Sequence, residues 1–86
     1  MSECREHRLK RLRMRSMRRG IKEMDLILSA YAEANLQQMN PGRLDLYDAL
    51  LEQNDQDLYQ WITGQAAAPD ALADLIQDIS QTFQKQ

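Results

Sequence analysis

The sequence has 86 residues, 43% hydrophobic and 28% charged, with a formal net charge of -2 and one cysteine. A chain this short builds one small core, makes no internal disulfide, and is too ordinary in composition to be disordered throughout. No apolar run approaches the roughly 18 residues that span a bilayer, and no apolar segment follows the N-terminal charges, so neither membrane insertion nor a secretory signal is expected.

The net charge conceals a strong asymmetry. Residues 1–23 carry nine Lys/Arg and three Glu, a balance of +6, whereas residues 24–86 carry two Lys/Arg and ten Asp/Glu, a balance of -8. Such a dipolar chain orients a charged partner before contact. The expected organisation is a single domain over residues 1–86, with a basic N-terminal helix over about 3–18 and an acidic helical body over about 21–82. The lone Cys4 suits a reducing compartment, and the expected location is cytoplasmic. The Arg-rich start has the basicity of a mitochondrial transit peptide, but Glu3, Glu6 and the lack of a linker read as mature protein.

In chain order, residues 3–18 contain no helix breaker. Leu9 and Leu12 form a thin apolar stripe, with Met17 near it, enough for the helix to lie on a body. Gly20 is expected to end this helix by taking the left-handed conformation, with Arg18 and Arg19 favoured at the negative end of the helix dipole. A second helix is predicted from about Ile21 to Met39, because Met24, Ile27, Leu28 and Tyr31 recur at helical spacing. Asn40-Pro41-Gly42 ends it, and Asn40 is placed to cap a third helix over about 41–53, with Leu44, Tyr47, Leu50 and Leu51 on one face. Asn54 caps a short fourth helix, with Asp55 and Asp57 facing its positive dipole end and Leu58, Trp61 and Ile62 turned inward; Gly64 terminates it. Pro69 and Asp70 open a last helix whose stripe is Leu72, Leu75, Ile76, Ile79 and Phe83, and the Gln-rich tail after Thr82 is expected to fray. The fold class is therefore all-α, a small five-helix bundle.

No catalytic constellation is present. There is no nucleophile elbow, phosphate-binding loop or dinucleotide fingerprint. Cys4 and His7 supply two metal ligands where a structural zinc needs four, so no metal site is expected. The carboxylate pairs Asp45/Asp48 and Asp55/Asp57 read as solvated-face and helix-start charges. Trp61 reads as core, and Tyr31 as core with its hydroxyl at the rim.

The stretch Met17-Arg18-Arg19-Gly20-Ile21-Lys22-Glu23-Met24-Asp25 is different, because it places cations before a helix–Gly–helix turn and carboxylates after it. One reading is structural: Gly20 stops a helix and Glu23 reaches back to free amides, as half of a capping box. The other is an interface turn, in which Gly20 admits a close approach. The two are compatible. The basic helix fits nucleic acid, anionic lipid or an acidic protein surface. The acidic body disfavours the first, and the absence of Phe or Trp anchors disfavours the second.

Arg18-Arg19-Gly20-Ile21-Lys22-Glu23-Met24-Asp25, followed by Tyr47-Asp48-Ala49-Leu50-Leu51-Glu52 and by Asp55-Gln56-Asp57-Leu58-Tyr59-Gln60-Trp61-Ile62-Thr63-Gly64, resembles the SdhE family of succinate dehydrogenase assembly factors over about residues 9–80. The resemblance implies a non-enzymatic, chaperone-like factor. It would bind the flavoprotein subunit of succinate dehydrogenase or fumarate reductase and promote covalent attachment of FAD, the partner's cofactor and not one stably held by this chain. It also implies partner contact through Arg19, Gly20 and Glu23, flanked by Arg18 and Asp25; on electrostatic grounds Arg15, Arg18 and Arg19 are expected to steer and hold acidic partner surface. Met17, Tyr31, Asp48 and Asn40-Pro41-Gly42 depart from the commoner pattern without touching the turn. A monomer is expected, with no nucleic acid partner. The alternative is a small basic-armed nucleic-acid-binding or antitoxin-like regulator that would use Arg8, Arg11 and Arg15.

Overall fold

The computed structural model describes residues 4–84. The chain folds into α1 (Arg5–Arg15), α2 (Lys22–Asn35), α3 (Pro41–Leu51), α4 (Asp55–Ile62) and α5 (Asp70–Gln84), with a 3-10 turn at Leu36–Gln38. There is no strand among the described residues, and the all-α expectation holds. The expected helix start at residue 3 and the final residues 85–86 of the Gln-rich tail lie outside the described residues.

Helix α2 is the central element because its apolar residues recur on one stripe. Met24, Ile27, Leu28 and Tyr31 are all buried there, and α2 packs against α1, α4 and α5. From α5, Leu72, Leu75, Ile76 and Ile79 complete the core. Burying each such side chain contributes about 1.5–3 kcal/mol before conformational entropy is set against it. Phe83 departs from its expected place and stands 39% exposed, so the apolar stripe of α5 outlasts the body it packs on. Trp61 is half-buried against the core and lines a shallow hollow of about 460 Å³ with Ala66, Ala68 and Ile76.

The helix ends follow from local chemistry. The Asn40 side chain accepts the Arg43 N–H at 2.7 Å, and the Asn54 side chain accepts the Gln56 N–H at 2.8 Å, each satisfying an amide that the helix leaves open. Gly64 takes the left-handed conformation after α4, with φ of 82°.

Helix α3 ends at Leu51, two residues short of the expected 53, and two other boundaries differ more from the sequence expectation. Helix α2 stops at Asn35 and tightens into the 3-10 turn, after which Met39 and Asn40 are extended. Pro41 disfavours a helical Asn40, so the chain has to leave the helix early. Helix α1 ends at Arg15, not near residue 18. There Ser16 is fully buried, and its hydroxyl donates to the Leu12 carbonyl at 2.8 Å, which competes with continued helix. The left-handed residue of this turn is Arg18, with φ of 55°; Gly20 is not in that region.

Candidate partner-docking site

Helix α1 is held in place by a buried seam and an ionic edge. The seam consists of Leu12, fully buried, and Ser16. Because the Ser16 proton goes to the Leu12 carbonyl, the Tyr47 hydroxyl 2.5 Å away acts as the donor to Ser16 Oγ. Burial pushes the Tyr47 phenol up to about 12, opposed by the Arg19 charge. The neighbouring Tyr31 ring is also buried, with its hydroxyl donating to Asp78 at 2.6 Å. Burial, reinforced by that carboxylate, raises the Tyr31 phenol.

The ionic edge runs along α3. Arg8 pairs with Asp45. Arg11 reaches Asp48 at 3.0 Å, and Arg15 bridges Asp48 at 2.7 Å and Glu52 at 2.9 Å. Arg19 closes the row on Asp55 at the start of α4, with Nε at 2.8 Å. The sequence separation within Arg8–Asp45, Arg11–Asp48, Arg15–Glu52 and Arg19–Asp55 stays at 36–37 residues, so α1 and α3 run side by side in the same direction. The Arg11 hydrogen bond chiefly holds the Asp48 carboxyl below the usual carboxylate range, with the charges of Arg11, Arg15 and Arg8 helping and partial burial opposing. Pairs as exposed as the first three contribute about 0–1 kcal/mol each.

Arg19 is set more deeply than the rest. Its side chain is 11% exposed and that of Asp55 is 15% exposed. The guanidinium also donates to the carbonyls of Arg15 at 3.1 Å and Leu51 at 3.2 Å, near the C-terminal ends of α1 and α3. The other oxygen of Asp55 accepts the Gly20 N–H at 2.6 Å. A Cβ on Gly20 would meet that oxygen at 3.2 Å, a tight contact that the Asp55 carboxylate would have to yield to by a few tenths of an ångström. At the opposite end of the turn, Asp25 Oδ2 accepts the Arg18 N–H at 3.1 Å, and its Oδ1 accepts the Ser29 hydroxyl at 3.2 Å. The capping-box reading of Glu23 is not realised, because the residue before α2, Ile21, makes no side-chain cap and Glu23 is exposed.

The structure thus divides the sequence-predicted site residues. Arg15, Arg19, the Gly20 amide and Asp25 are engaged within the chain. Glu23, the Arg18 side chain and Lys22 are exposed, and no ion pair engages them among the described residues. Three large apolar side chains within the same stretch of sequence are also exposed: Met14 is 62% exposed, Met17 47% and Leu26 65%. The spacing of Lys22, Glu23 and Leu26 places them on one face of α2, away from the buried stripe. On the outer side of α1, a groove of about 480 Å³ runs between His7, Lys10 and Met14 and the stems of Arg11 and Arg15. No cluster of three or more metal-ligating side chains occurs among the described residues. Chemically, the site offers the exposed Glu23 carboxylate and the exposed Arg18 and Lys22 cations, which have no ion-pair partner among the described residues, beside exposed apolar side chains and a turn held by Asp25 and Asp55.

Comparison with known proteins gives this arrangement a family. The sequence profile of the family described as "Flavinator of succinate dehydrogenase" matches residues 10–83. Among similar proteins, succinate dehydrogenase assembly factor 2, mitochondrial, of Meyerozyma guilliermondii is 44% identical over 61 residues, covering 71% of this chain and 45% of that protein. The protein of the same description from Aspergillus flavus is 42% identical over 64 residues, covering 74% of this chain and 22% of that protein. That of Candida glabrata is 49% identical over 53 residues, covering 62% of this chain and 35% of that protein. The aligned part of this chain therefore spans less than half the length of each of these relatives.

Proposed function

The chain belongs to the flavinators of succinate dehydrogenase, and from that premise we propose that it binds the flavoprotein subunit of succinate dehydrogenase, or of fumarate reductase, and promotes covalent attachment of FAD there. The observation that carries the docking site is the run of exposed charged and apolar side chains from the end of α1 through the turn into the start of α2: Met14, Met17, Arg18, Lys22, Glu23 and Leu26. An exposed apolar side chain that becomes fully covered in a complex contributes about 1.5–3 kcal/mol, and the charges around it set register and approach. Glu23 meets a basic group or orders a loop of the partner, while Arg18 and Lys22 meet acidic surface.

The role is positional. In this reading the chain supplies neither the nucleophile nor the cofactor of the reaction; FAD belongs to the flavoprotein, and holding that protein's reacting groups in a productive geometry is a sufficient way to accelerate the attachment. The nucleic-acid reading loses support because Arg8, Arg11 and Arg15, the cations it would use, face carboxylates of α3. The compartment is the one in which the flavoprotein matures; the relatives above carry "mitochondrial" in their names, and a bacterial cytoplasm would hold the same class of partner.

The test is reconstitution of apo-flavoprotein with FAD, with and without this protein, read as covalent flavin fluorescence on a denaturing gel. Wild type should raise the covalent yield and Glu23→Ala should not. Equal yields with wild type and with no added protein would remove the proposal.

A further inference from the structure

We propose that Asp55 is a positioning residue of the docking turn, so that Arg19 and Gly20 act through Asp55 inside the chain while partner contact falls to their neighbours. This rests on the docking reading above. The turn from Ser16 to Ile21 has no helical ladder of its own, and it contains a left-handed non-glycine residue, Arg18. Such a residue is strained and persists only where its surroundings over-determine it. Two carboxylates do so here. Asp25 takes the Arg18 amide at 3.1 Å, and Asp55 takes the Gly20 amide at 2.6 Å.

Asp55 also fixes the side chain that the sequence offers most readily as a contact. Its Oδ1 holds Arg19 at 2.7–2.8 Å, and the rest of that guanidinium is directed at the carbonyls of Arg15 and Leu51. A guanidinium with these partners and 11% side-chain exposure has few donors left for another protein. The Arg-Gly pair is therefore the inner half of a latch whose other half is Asp55, thirty-five residues from Gly20 in sequence. The outer half of the turn, with Met17 and Arg18, and Glu23 in the first turn of α2 are presented by that latch.

The experiment measures the affinity of the full chain for apo-flavoprotein in a double-mutant cycle of Asp55→Ala and Glu23→Ala, together with amide hydrogen exchange of Gly20 in the free protein. Circular dichroism establishes that each variant is folded at the assay temperature, and Asp55→Asn, which keeps one oxygen as acceptor, serves as the conservative variant. Positioning predicts that Gly20 loses exchange protection in Asp55→Ala, and that this variant binds about tenfold more weakly or worse. It also predicts that Glu23→Ala costs much less in the Asp55→Ala background than in wild type, and that Asp55→Asn recovers part of the affinity. Wild-type affinity in a folded Asp55→Ala, or a Glu23→Ala cost unchanged by the Asp55 substitution, would overturn the positioning role alone. A wild-type chain that does not bind the flavoprotein would overturn the functional reading, and the positioning role with it.

Discussion

The arginines of the N-terminal segment and the turn that follows belong to two regions that look alike in sequence and behave differently in the fold. Along one edge of α1 and on into the turn, Arg8, Arg11, Arg15 and Arg19 face carboxylates on or next to α3 and α4. At the turn, Arg18 and Lys22 point to solvent beside a free Glu23 and exposed methionines. Charge balance by segment counts both groups as a basic arm. Register separates them: Arg8, Arg11, Arg15 and Arg19 pair with carboxylates of the body and Arg5 donates to the carbonyls of Gln37 and Met39, while Arg18 and Lys22 at the turn are left exposed to a partner. A local excess of charge therefore says little about docking until its intramolecular partners have been identified.

The strongest break in this contrast comes from Gly20, where the two regions meet. Gly20→Arg forces a Cβ to within 3.2 Å of Asp55 Oδ2 and should disrupt the Arg19–Asp55 pair. We expect binding to the flavoprotein to be lost, while the far-UV circular dichroism spectrum stays helical. Loss of helical content instead would make Gly20 a folding residue first and a docking residue only second.

Next in size is Leu12→Ala. Leu12 is the one fully buried apolar residue of α1, so truncation should cost about 2–5 kcal/mol in denaturant unfolding. A cost below about 1 kcal/mol would mean that the ionic edge, at up to 1 kcal/mol a pair, holds the helix without help from packing.

Tyr47→Phe comes third. It leaves Ser16 Oγ without its buried donor and should cost about 1 kcal/mol, read in the same way. No loss of stability would mean that the hydroxyl contributes nothing to the seam.

Asp48→Asn follows, at about 1 kcal/mol or less, because the paired side chains are 28–38% exposed. This pairing also sets a pH dependence. The folded Asp48 carboxyl titrates below its ordinary value of 3.8. Its contribution is therefore fully present above about pH 4 and is lost as pH falls through the lowered folded value. Acid unfolding of Asp48→Asn should accordingly be less steep than that of wild type in that range. Identical acid profiles would remove the pairing from the stability of the fold.

Much of the fold was legible because its signals are local. Asn40 and Asn54 as caps, Gly64 as a left-handed stop and the 3.6-residue stripes of α2 and α5 each follow from a few adjacent residues. The identity of the left-handed residue at the first turn was not legible. The preference for glycine pointed to Gly20, but two distant carboxylates and a buried serine settled the strain on Arg18. Nor did composition mark Ser16, a small polar residue whose value depends on Tyr47 being opposite. The ionic edge did leave a signal. Arg8, Arg11, Arg15 and Arg19 are spaced 3, 4 and 4 apart, while Asp45, Asp48, Glu52 and Asp55 are spaced 3, 4 and 3. Two helical charge rows of matching period and opposite sign are candidates to face each other. Read that way, the sequence divides its own basic arm into the part that stays at home and the part that docks.

The most direct measurement is calorimetric titration of apo-flavoprotein with two single variants, Glu23→Ala and Asp48→Asn, each paired with a thermal melt. The expected result is that Glu23→Ala loses about tenfold or more in affinity with an unchanged Tm, whereas Asp48→Asn keeps its affinity and melts lower. The reverse pattern, with affinity lost at Asp48 and kept at Glu23, would place the docking surface on the ionic edge and contradict the division of charges between the two regions.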